Sequence, residues 1–223
     1  MDRQSQYVSF STSQDPLSVL LADDHLIVRI GLKNVIGRID PAIRVDEVTS
    51  AESVISKLNS RNYHLLILDI NMRHAEPFSL VTSIRRQFPA LRVLIFTTTN
   101  ELIFATRFLR LGVSGYLLKQ SGEAETLTAL TSLLSGKIYI SDSLSRLMAG
   151  QSIGIKPNPF ESLTNREFEV VLQLLKGNST AVIARELHMN KSTVGTHKNR
   201  IMRKLKVSTL VGLLERARES KIV

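Results

Sequence analysis

The stretch His64-Leu65-Leu66-Ile67-Leu68-Asp69-Ile70-Asn71 decides the fold class of this 223-residue chain. Its apolar run is short, rich in aliphatic side chains and followed directly by a carboxylate. This pattern is typical of a fully buried strand with a polar C-terminal tip. In open parallel α/β sheets, ligands bind just outside the carboxyl ends of the strands. The stretch therefore predicts that Asp69 lies at the functional edge of such a sheet.

A second apolar run has the same kind of ending, because residues 19–22 are followed by Asp23 and Asp24. If the two strands are neighbours, these carboxylates meet Asp69 at one edge and repel one another unless a cation lies among them. Mg²⁺ is the usual occupant of sites made of carboxylates, carbonyls and water. We therefore predict a Mg²⁺ site here. His25 could be a further ligand, although the pattern favours capping or packing.

Two more strand ends carry polar residues that suit the same site. Thr97 follows the apolar residues 93–96, and Lys119 follows residues 116–118. Beside a nucleophilic carboxylate and a metal, a hydroxyl and an ammonium can hold the oxygens of a transferred phosphoryl group. Each residue alone could equally be a turn or surface residue, but the agreement of four strand ends favours a phosphoryl-accepting site.

Strand and helix patterns alternate between residues 18 and 136, which predicts a flavodoxin-like α/β domain with a doubly wound, parallel, five-stranded sheet. The predicted strands are 18–23, 43–48, 64–70, 92–97 and 114–118, and the predicted helices are 26–38, 51–60, 78–87, 101–111 and 123–135. Residues 1–17 are polar and are predicted to be a disordered leader. Residues 137–160 contain Gly and Pro and are predicted to be a linker with a short helix at 143–148.

Residues 161–223 have a purely helical pattern, which predicts a second, smaller all-α domain. Thr164 and Glu167 form a capping-box signature at the start of its first helix, and Gly177 marks the end of that helix. Ser179 can cap a short second helix and Asn190 can cap a third. The predicted order is a short helix to 187, a turn at 188–190, a basic helix at 191–206 and a last helix at 208–219. This layout is typical of a helix-turn-helix domain.

The basic charge is concentrated in the C-terminal part of the chain. The formal net charge is +9, and residues 141–223 hold 14 Lys and Arg against 7 Asp and Glu. Such an excess indicates an anionic polymer as the partner of that segment, although a solvated basic surface is the simpler alternative. With no Cys, the chain has no disulfide, thiolate zinc site or Cys nucleophile. We find no signal peptide or membrane-spanning run and expect a cytoplasmic protein.

The basic helix has one apolar and one polar face. Val194, Ile201 and Leu205 share the inward side at about 100° per residue. Small polar side chains and cations lie on the other sides, which suits a helix in the DNA major groove, where outward side chains meet bases and flanking cations meet phosphates. The outward residues are Ser192, Thr196, Asn199 and Arg203, and the flanking residues are Lys191, Arg200, Lys204 and Lys206.

In these motifs the chain resembles response regulators of two-component signalling, of the NarL/FixJ class with a receiver domain and a LuxR-type DNA-binding domain. The resemblance covers about residues 18–219. The motifs that carry it are Leu21-Ala22-Asp23-Asp24-His25, Leu68-Asp69-Ile70-Asn71-Met72, Phe96-Thr97, Gly115-Tyr116-Leu117-Leu118-Lys119, Leu163-Thr164-Asn165-Arg166-Glu167, and the run from Thr193 to Leu205. Their shared order and spacing make the resemblance specific.

The resemblance implies a role for each matching residue. Asp69 accepts a phosphoryl group from a sensor histidine kinase, and Mg²⁺ is held by Asp23, Asp24, Asp69 and the carbonyl of Asn71. Thr97 and Tyr116 form the switch that reports phosphorylation, while Lys119 pairs with the phosphoryl group. The active form is expected to be a homodimer that binds promoter DNA. The expected DNA-binding residues are Lys191, Ser192, Thr193, Gly195, Thr196, Lys198, Asn199, Arg200, Arg203 and Lys204.

Two departures from the family pattern stand out. The family usually has Met-Pro-Gly after the phosphoacceptor strand, where this chain has the charged stretch Met72-Arg73-His74-Ala75-Glu76-Pro77. This loop could change kinase pairing or the lifetime of the phosphoryl group. Gly195 stands where a larger side chain is common, and a mid-helix Gly costs about 1 kcal/mol relative to Ala.

Two alternatives remain open. In the first, the receiver is a phosphorylation-independent dimerisation module of a DNA-binding regulator. In the second, the chain is a phosphatase of the haloacid-dehalogenase type, whose Asp-x-Asp motif supplies a general acid. Here that position is Asn71, so we expect no enzyme beyond slow self-phosphorylation and self-dephosphorylation.

Overall fold

A computed structural model describes residues 16–72, 76–99, 101–151, 158–220 and 222. The strands are β1 (Ser18–Ala22), β2 (Arg44–Val48), β3 (Leu65–Leu68), β4 (Arg92–Thr97), β5 (Gly115–Leu118) and β6 (Tyr139–Ile140). The helices are α1 (Leu26–Ile39), α2 (Ala51–Ser60), α3 (Pro77–Gln87), α4 (Glu101–Arg110), α5 (Glu123–Leu134), α6 (Asp142–Gln151), α7 (Asn165–Leu175), α8 (Thr180–Glu186), α9 (Lys191–Leu205) and α10 (Leu210–Glu219). The predicted disordered leader lies outside the described residues, except for Pro16 and Leu17.

The strands form one parallel sheet in the order β2-β1-β3-β4-β5-β6. The predicted doubly wound α/β fold is confirmed, with a sixth strand that we did not predict. That strand is β6, which pairs with β5 so that Tyr116 lies opposite Ile140. Two residues are too few for a strand period to show in a sequence, which is why the sequence pattern places β6 in the linker.

The two faces of the sheet pack into two separate hydrophobic clusters. Alternate residues of a strand point to opposite faces. In β1, Leu20 belongs to one cluster while Val19 and Leu21 belong to the other. Helices α1 and α5 cover the second face, and they also contact each other. Because both faces of the sheet are covered, the sequences of the central strands are continuous apolar runs and do not alternate between apolar and polar residues.

The described part of the region predicted to be a linker packs on the first domain. Helix α6 begins at Asp142 and is longer than the predicted helix at 143–148. Leu144 at its start is fully buried, and α6 contacts α4. The connection between the domains therefore starts as an extension of the first domain and not as a free tether.

The C-terminal domain has the predicted helix-turn-helix layout. The capping box of Thr164 and Glu167 is present with both of its hydrogen bonds, and Gly177 has the left-handed φ of 80° expected of a helix-ending glycine. Ser179 caps α8 through its side chain, also as predicted. The prediction for Asn190 is wrong in detail. It occupies the N-cap position of α9, but its side chain makes no capping hydrogen bond within the described residues.

Among the helices that the structure describes, none combines the length and apolar character needed to cross a bilayer.

Candidate functional site

The carboxyl ends of β1, β3, β4 and β5 meet at one edge of the sheet, as the sequence predicts. The backbone N–H of Asp69 donates to the carbonyl of Ala22 at 2.8 Å, which holds the tips of β1 and β3 side by side. Likewise the N–H of Lys119 donates to the carbonyl of Thr97 at 2.9 Å and joins the ends of β4 and β5. The structure thus brings together the four strand ends.

The ammonium of Lys119 lies between two buried carboxylates. Its Nζ is 2.7 Å from Asp23 Oδ2 and 2.8 Å from Asp69 Oδ2. Burial by itself lowers the pKa of Lys119, but the hydrogen bonds to Asp23 and Asp69 outweigh it, so the pKa is raised overall. Lys119 therefore stays charged at neutral pH and lies within reach of any group attached to Asp69.

The acidic residues form a compact donor set. Asp23 and Asp69 are buried, and single ligand atoms of Asp23, Asp24, His25 and Asp69 all lie within 4.8 Å of one another. Asp24 Oδ1 is buried yet accepts no hydrogen bond of good geometry from the described residues. Several carboxylates with an unused oxygen suit a hard divalent cation, so the residues present fit Mg²⁺. Among the described residues, Lys119 is the cation whose ammonium pairs with these carboxylates, and it contacts two of them, Asp23 and Asp69.

His25 follows one of the two predicted alternatives, packing, and not the other, capping. It occupies the N-cap position of α1, but its side chain does not cap the helix. Instead its Nδ1 lies 3.1 Å from Asp23 Oδ1 and 2.8 Å from Asp24 Oδ1, and its backbone N–H donates to Asp23 Oδ1. The ring therefore packs against the acidic pair, as the packing alternative predicts, and does not cap α1.

A network of polar side chains connects Asp69 to the predicted switch residues. The backbone N–H of Asn71 donates to Asp69 Oδ1, and the Asn71 side-chain amide donates to Thr97 Oγ1 at 2.9 Å. The Tyr116 hydroxyl donates to the carbonyl of Thr99 at 2.8 Å, and its ring is fully buried. The Tyr116 side chain therefore has an inward position, and its role as a switch stays a prediction. Residues 73–75 of the unusual loop lie outside the described residues.

Helix α9 presents the predicted polar face to solvent. Val194, Ile201 and Leu205 are buried against the rest of the domain, in agreement with the prediction. Exposed side chains run along the opposite side of the helix. They are Lys191, Ser192, Thr193, Thr196, Asn199, Arg200 and Arg203, while Lys198 is half-buried. At Gly195 no described atom lies within 4 Å of where a Cβ would be, so this part of the face is open.

Lys204 differs from the other cations of α9 because it makes contacts within the domain. Its Nζ lies 2.6 Å from Glu167 Oε2 and 3.1 Å from the carbonyl of Ser162. Burial raises the pKa of Glu167, but bonds from Lys204 and Thr164 outweigh it, so the pKa is lowered overall. Lys204 thus helps to hold α9 against the start of α7, and its predicted contact with DNA stays a prediction.

Sequence reasoning missed the residues that join the two domains. Arg107 of α4 is buried against the C-terminal domain, and Arg166 of α7 pairs with Glu76 of the first domain. From the sequence alone, a cation in an amphipathic helix is interpreted as solvent-exposed. Its neighbours in the sequence give no sign of a contact with a distant part of the chain. For Arg107 the only available signal is its place inside the apolar run of α4.

Two family matches cover these two domains. Residues 19–131 match the response regulator receiver domain, and residues 161–217 match the luxR family of bacterial regulatory proteins. The chain belongs to the response regulators. It combines a receiver with a LuxR-type output domain, in the NarL/FixJ class, as the motifs had indicated.

Full-length relatives have the same two-domain organisation. The chain is 31% identical over 198 residues to a nitrate/nitrite response regulator protein homolog of Haemophilus influenzae, covering 89% of this response regulator and 94% of the relative. Among solved structures, Salmonella enterica RcsB bound to promoter P1flhDC with phosphomimetic BeF₃⁻ is 28% identical, with a TM-score of 0.73 over 92% of this chain and 100% of RcsB. The isolated receiver of the same RcsB is 30% identical, with a TM-score of 0.55 over 60% of this chain and 99% of that receiver.

Proposed function

We propose that this response regulator is a phosphorylation-dependent, DNA-binding transcription regulator whose switch controls dimerisation and promoter binding. The observation that carries the proposal is the pairing of the Lys119 ammonium with both Asp23 and Asp69 at the strand edge that also holds Thr97. This arrangement places two carboxylates, an ammonium and a hydroxyl at one edge of the sheet, which is a set of groups that suits a divalent cation and a phosphoryl group.

Each residue of the site has its own role in the proposed phosphoryl transfer. Asp69 Oδ attacks the phosphorus of a phosphohistidine or a small acyl phosphate, forming an acyl phosphate as the bond to the leaving group breaks. Lys119 pairs with one phosphoryl oxygen, and the Thr97 hydroxyl donates to another. Mg²⁺, held by Asp23, Asp24, Asp69 and the Asn71 carbonyl, would neutralise charge on the transferred group.

The exposed polar face of α9 supports DNA as the partner of the output domain. Its outward side chains, which include Arg203, are flanked by Lys191 and Arg200, and this is the distribution expected for a helix in a major groove. RcsB, which is 28% identical to this chain over 92% of its length, has been solved bound to promoter DNA, and this supports the same kind of partner for the present chain. The other proposed partners are a sensor histidine kinase and a second copy of the chain. We propose a cytoplasmic location, because the protein would there meet both DNA and the phosphorylated kinase.

Phosphoryl uptake tests the receiver chemistry directly. Incubated with acetyl phosphate and Mg²⁺, the full-length protein should gain one phosphoryl group, because the acidic cluster positions the metal beside Asp69. Chelation of Mg²⁺ with excess EDTA should reduce the adduct to background, since the three carboxylates would then repel the incoming phosphate. Intact mass measured over time is the readout, and uptake that is unaffected by EDTA would refute the metal site.

The two alternatives make different predictions in the same assay. A passive receiver would give a folded protein without a phosphoryl adduct. The charged loop at residues 72–77 would then be the first candidate cause of the lost phosphoryl uptake. A phosphatase would hydrolyse a generic phosphate ester with many turnovers per site. We propose that it does not, because Asn71 cannot act as the general acid that such turnover needs.

A further inference from the structure

A buried arginine of the receiver is enclosed by the start of the output domain. Arg107 of α4 is 6% exposed. Its guanidinium donates to the carbonyl of Phe160 at 2.6 Å, to the carbonyl of Leu163 at 2.9 Å and to Asn165 Oδ1 at 3.0 Å. The cation also lies over the ring of Phe168, 4.3 Å from its centroid. Burial is the main reason why the pKa of Arg107 is lowered to about 10, which still leaves it charged at neutral pH.

A second arginine crosses the interface in the opposite direction. Arg166 of α7 donates from Nη1 to Glu76 Oε2 and to Glu169 Oε2, both at 2.8 Å. Glu76 immediately precedes α3, in the loop that follows the phosphoacceptor strand. Glu169 is buried on α7, and burial raises its pKa despite the neighbouring Arg166. We call Arg107, Arg166 and their partners the interdomain lock.

Aromatic rings connect the lock to the predicted switch residue. The ring of Tyr116 lies 6.3 Å from Phe108, which stacks on Phe78 with centroids 4.5 Å apart. Phe78 meets Phe168 edge to face at 6.0 Å, and Phe104 meets Phe168 at 5.2 Å. Phe168 is the ring beneath Arg107. The inward position of Tyr116 is therefore part of the same packed cluster that holds the output domain.

Docking of the domains leaves the DNA-binding face open. The lock uses the 3₁₀ turn at Pro159–Ser162 and helix α7 of the output domain. The predicted base-facing side chains of α9, among them Thr196 and Asn199, are exposed in the docked arrangement. Occlusion of the recognition helix is thus not how this interface would control DNA binding.

We propose that the interdomain lock holds the output domain in the arrangement that binds DNA, and that phosphorylation of Asp69 stabilises this lock. The inference rests on the proposed function, since it assigns the step between phosphorylation and DNA binding. The N–H of Thr99 donates to Thr97 Oγ1, and the carbonyl of Thr99 accepts from the Tyr116 hydroxyl. A shift of Thr97 toward a phosphoryl group on Asp69 would therefore act through Thr99 to hold Tyr116 inward, the position against which Phe108 packs in the docked form. If phosphorylation and domain docking both favour the inward position of Tyr116, each of them favours the other, because thermodynamic coupling is reciprocal. Phosphorylation then stabilises the docked arrangement.

The experiment compares the full-length protein with Arg107→Ala and with Arg166→Ala, which removes the more accessible half of the lock. The exposed Arg86→Ala on α3 is a control for the loss of one positive charge. Affinity for a DNA duplex selected from a random pool is measured before and after acetyl phosphate treatment. Removing charged, buried hydrogen bonds should lower the affinity of the phosphorylated form roughly 10- to 100-fold. Arg86→Ala should match the wild type.

A distance measurement reports docking independently of DNA. The chain has no Cys, so Ser60→Cys and Ser208→Cys place one spin label on an exposed site of each domain. The interspin distance distribution should narrow on phosphorylation of the otherwise wild-type chain and stay broad in both arginine variants. Intact mass must show equal phosphoryl uptake in all proteins, which separates a failure of the lock from a failure of the receiver.

Three outcomes would overturn the proposal. One is tighter DNA binding by unphosphorylated Arg107→Ala than by the wild type, which would make the contact inhibitory. Another is an unchanged gain of affinity on phosphorylation in both variants. If Arg107→Ala fails to fold in a thermal melt, Arg166→Ala decides alone, and wild-type behaviour of that variant rejects the lock. If the wild type takes up phosphate but shows no gain in affinity, the proposed function fails first.

Discussion

Replacing Asp69 with alanine should abolish the phosphoryl adduct completely. Asp69 is the carboxylate at the tip of the buried strand β3, and its Oδ2 is held 2.8 Å from the Lys119 ammonium. Asp23 and Asp24 lie in the same cluster, but they belong to the loop after β1 and are expected to hold the metal. No other residue is therefore expected to act as the nucleophile. Acetyl phosphate with Mg²⁺, followed by intact mass, measures the effect.

The Asp69→Ala variant should remain folded, which makes the loss interpretable. The change removes one of the two carboxylates that pair with the Lys119 ammonium, and it leaves Lys119 paired with Asp23 at 2.7 Å. The repulsion within the cluster falls as a result, so the midpoint of thermal unfolding should not drop. Asp40→Ala, at the end of α1, is a control that should take up phosphate normally. An adduct of wild-type yield on Asp69→Ala would disprove the assignment of the phosphoacceptor.

The second large effect is expected in the output domain, from the double change Arg200→Ala and Arg203→Ala. Both side chains are exposed on α9, with Arg203 on the polar face that we expect to enter the major groove and Arg200 on the flank of that face. Removing one cation that neutralises a DNA phosphate should reduce the slope of log affinity against log salt by about 0.9, so the slope of the double variant should be shallower by about 2. Affinity at moderate salt should fall roughly 10- to 100-fold.

A charge-matched control separates this effect from the overall charge of the protein. Arg86→Ala combined with Arg218→Ala removes two exposed arginines, on α3 and α10. We expect nearly wild-type affinity and salt dependence from this control, because neither residue lies on α9. Equal decreases in affinity in the two double variants would show that binding depends on net charge alone, and would count against α9 as the DNA-reading element.

The phosphoacceptor edge could be predicted closely from the sequence because its parts are local. Each of Asp23, Asp69, Thr97 and Lys119 ends an apolar strand, and parallel strands place their carboxyl ends together. The helix boundaries of the output domain were predictable for the same reason, since the Thr164 and Glu167 capping box and Gly177 act on neighbouring backbone groups.

The contacts between the domains could not be predicted, because their partners are distant in the chain. Arg107 and Asn165 are 58 residues apart, and Glu76 and Arg166 are 90 residues apart. No periodicity links such pairs. The strand β6 escaped prediction for a different reason, since its two residues gain their strand geometry from pairing with β5 and not from their own pattern.

The measurement that tests the central claim most directly is the DNA affinity of the wild-type protein before and after stoichiometric phosphorylation. Binding to a duplex selected from a random pool is followed by fluorescence anisotropy, with intact mass to verify the adduct on the same sample. We predict a gain in affinity of at least about 5-fold, the lower end of a typical coupling between two sites. Equal affinity of the two forms, with the adduct fully present, would contradict phosphorylation control and leave the receiver as a passive module.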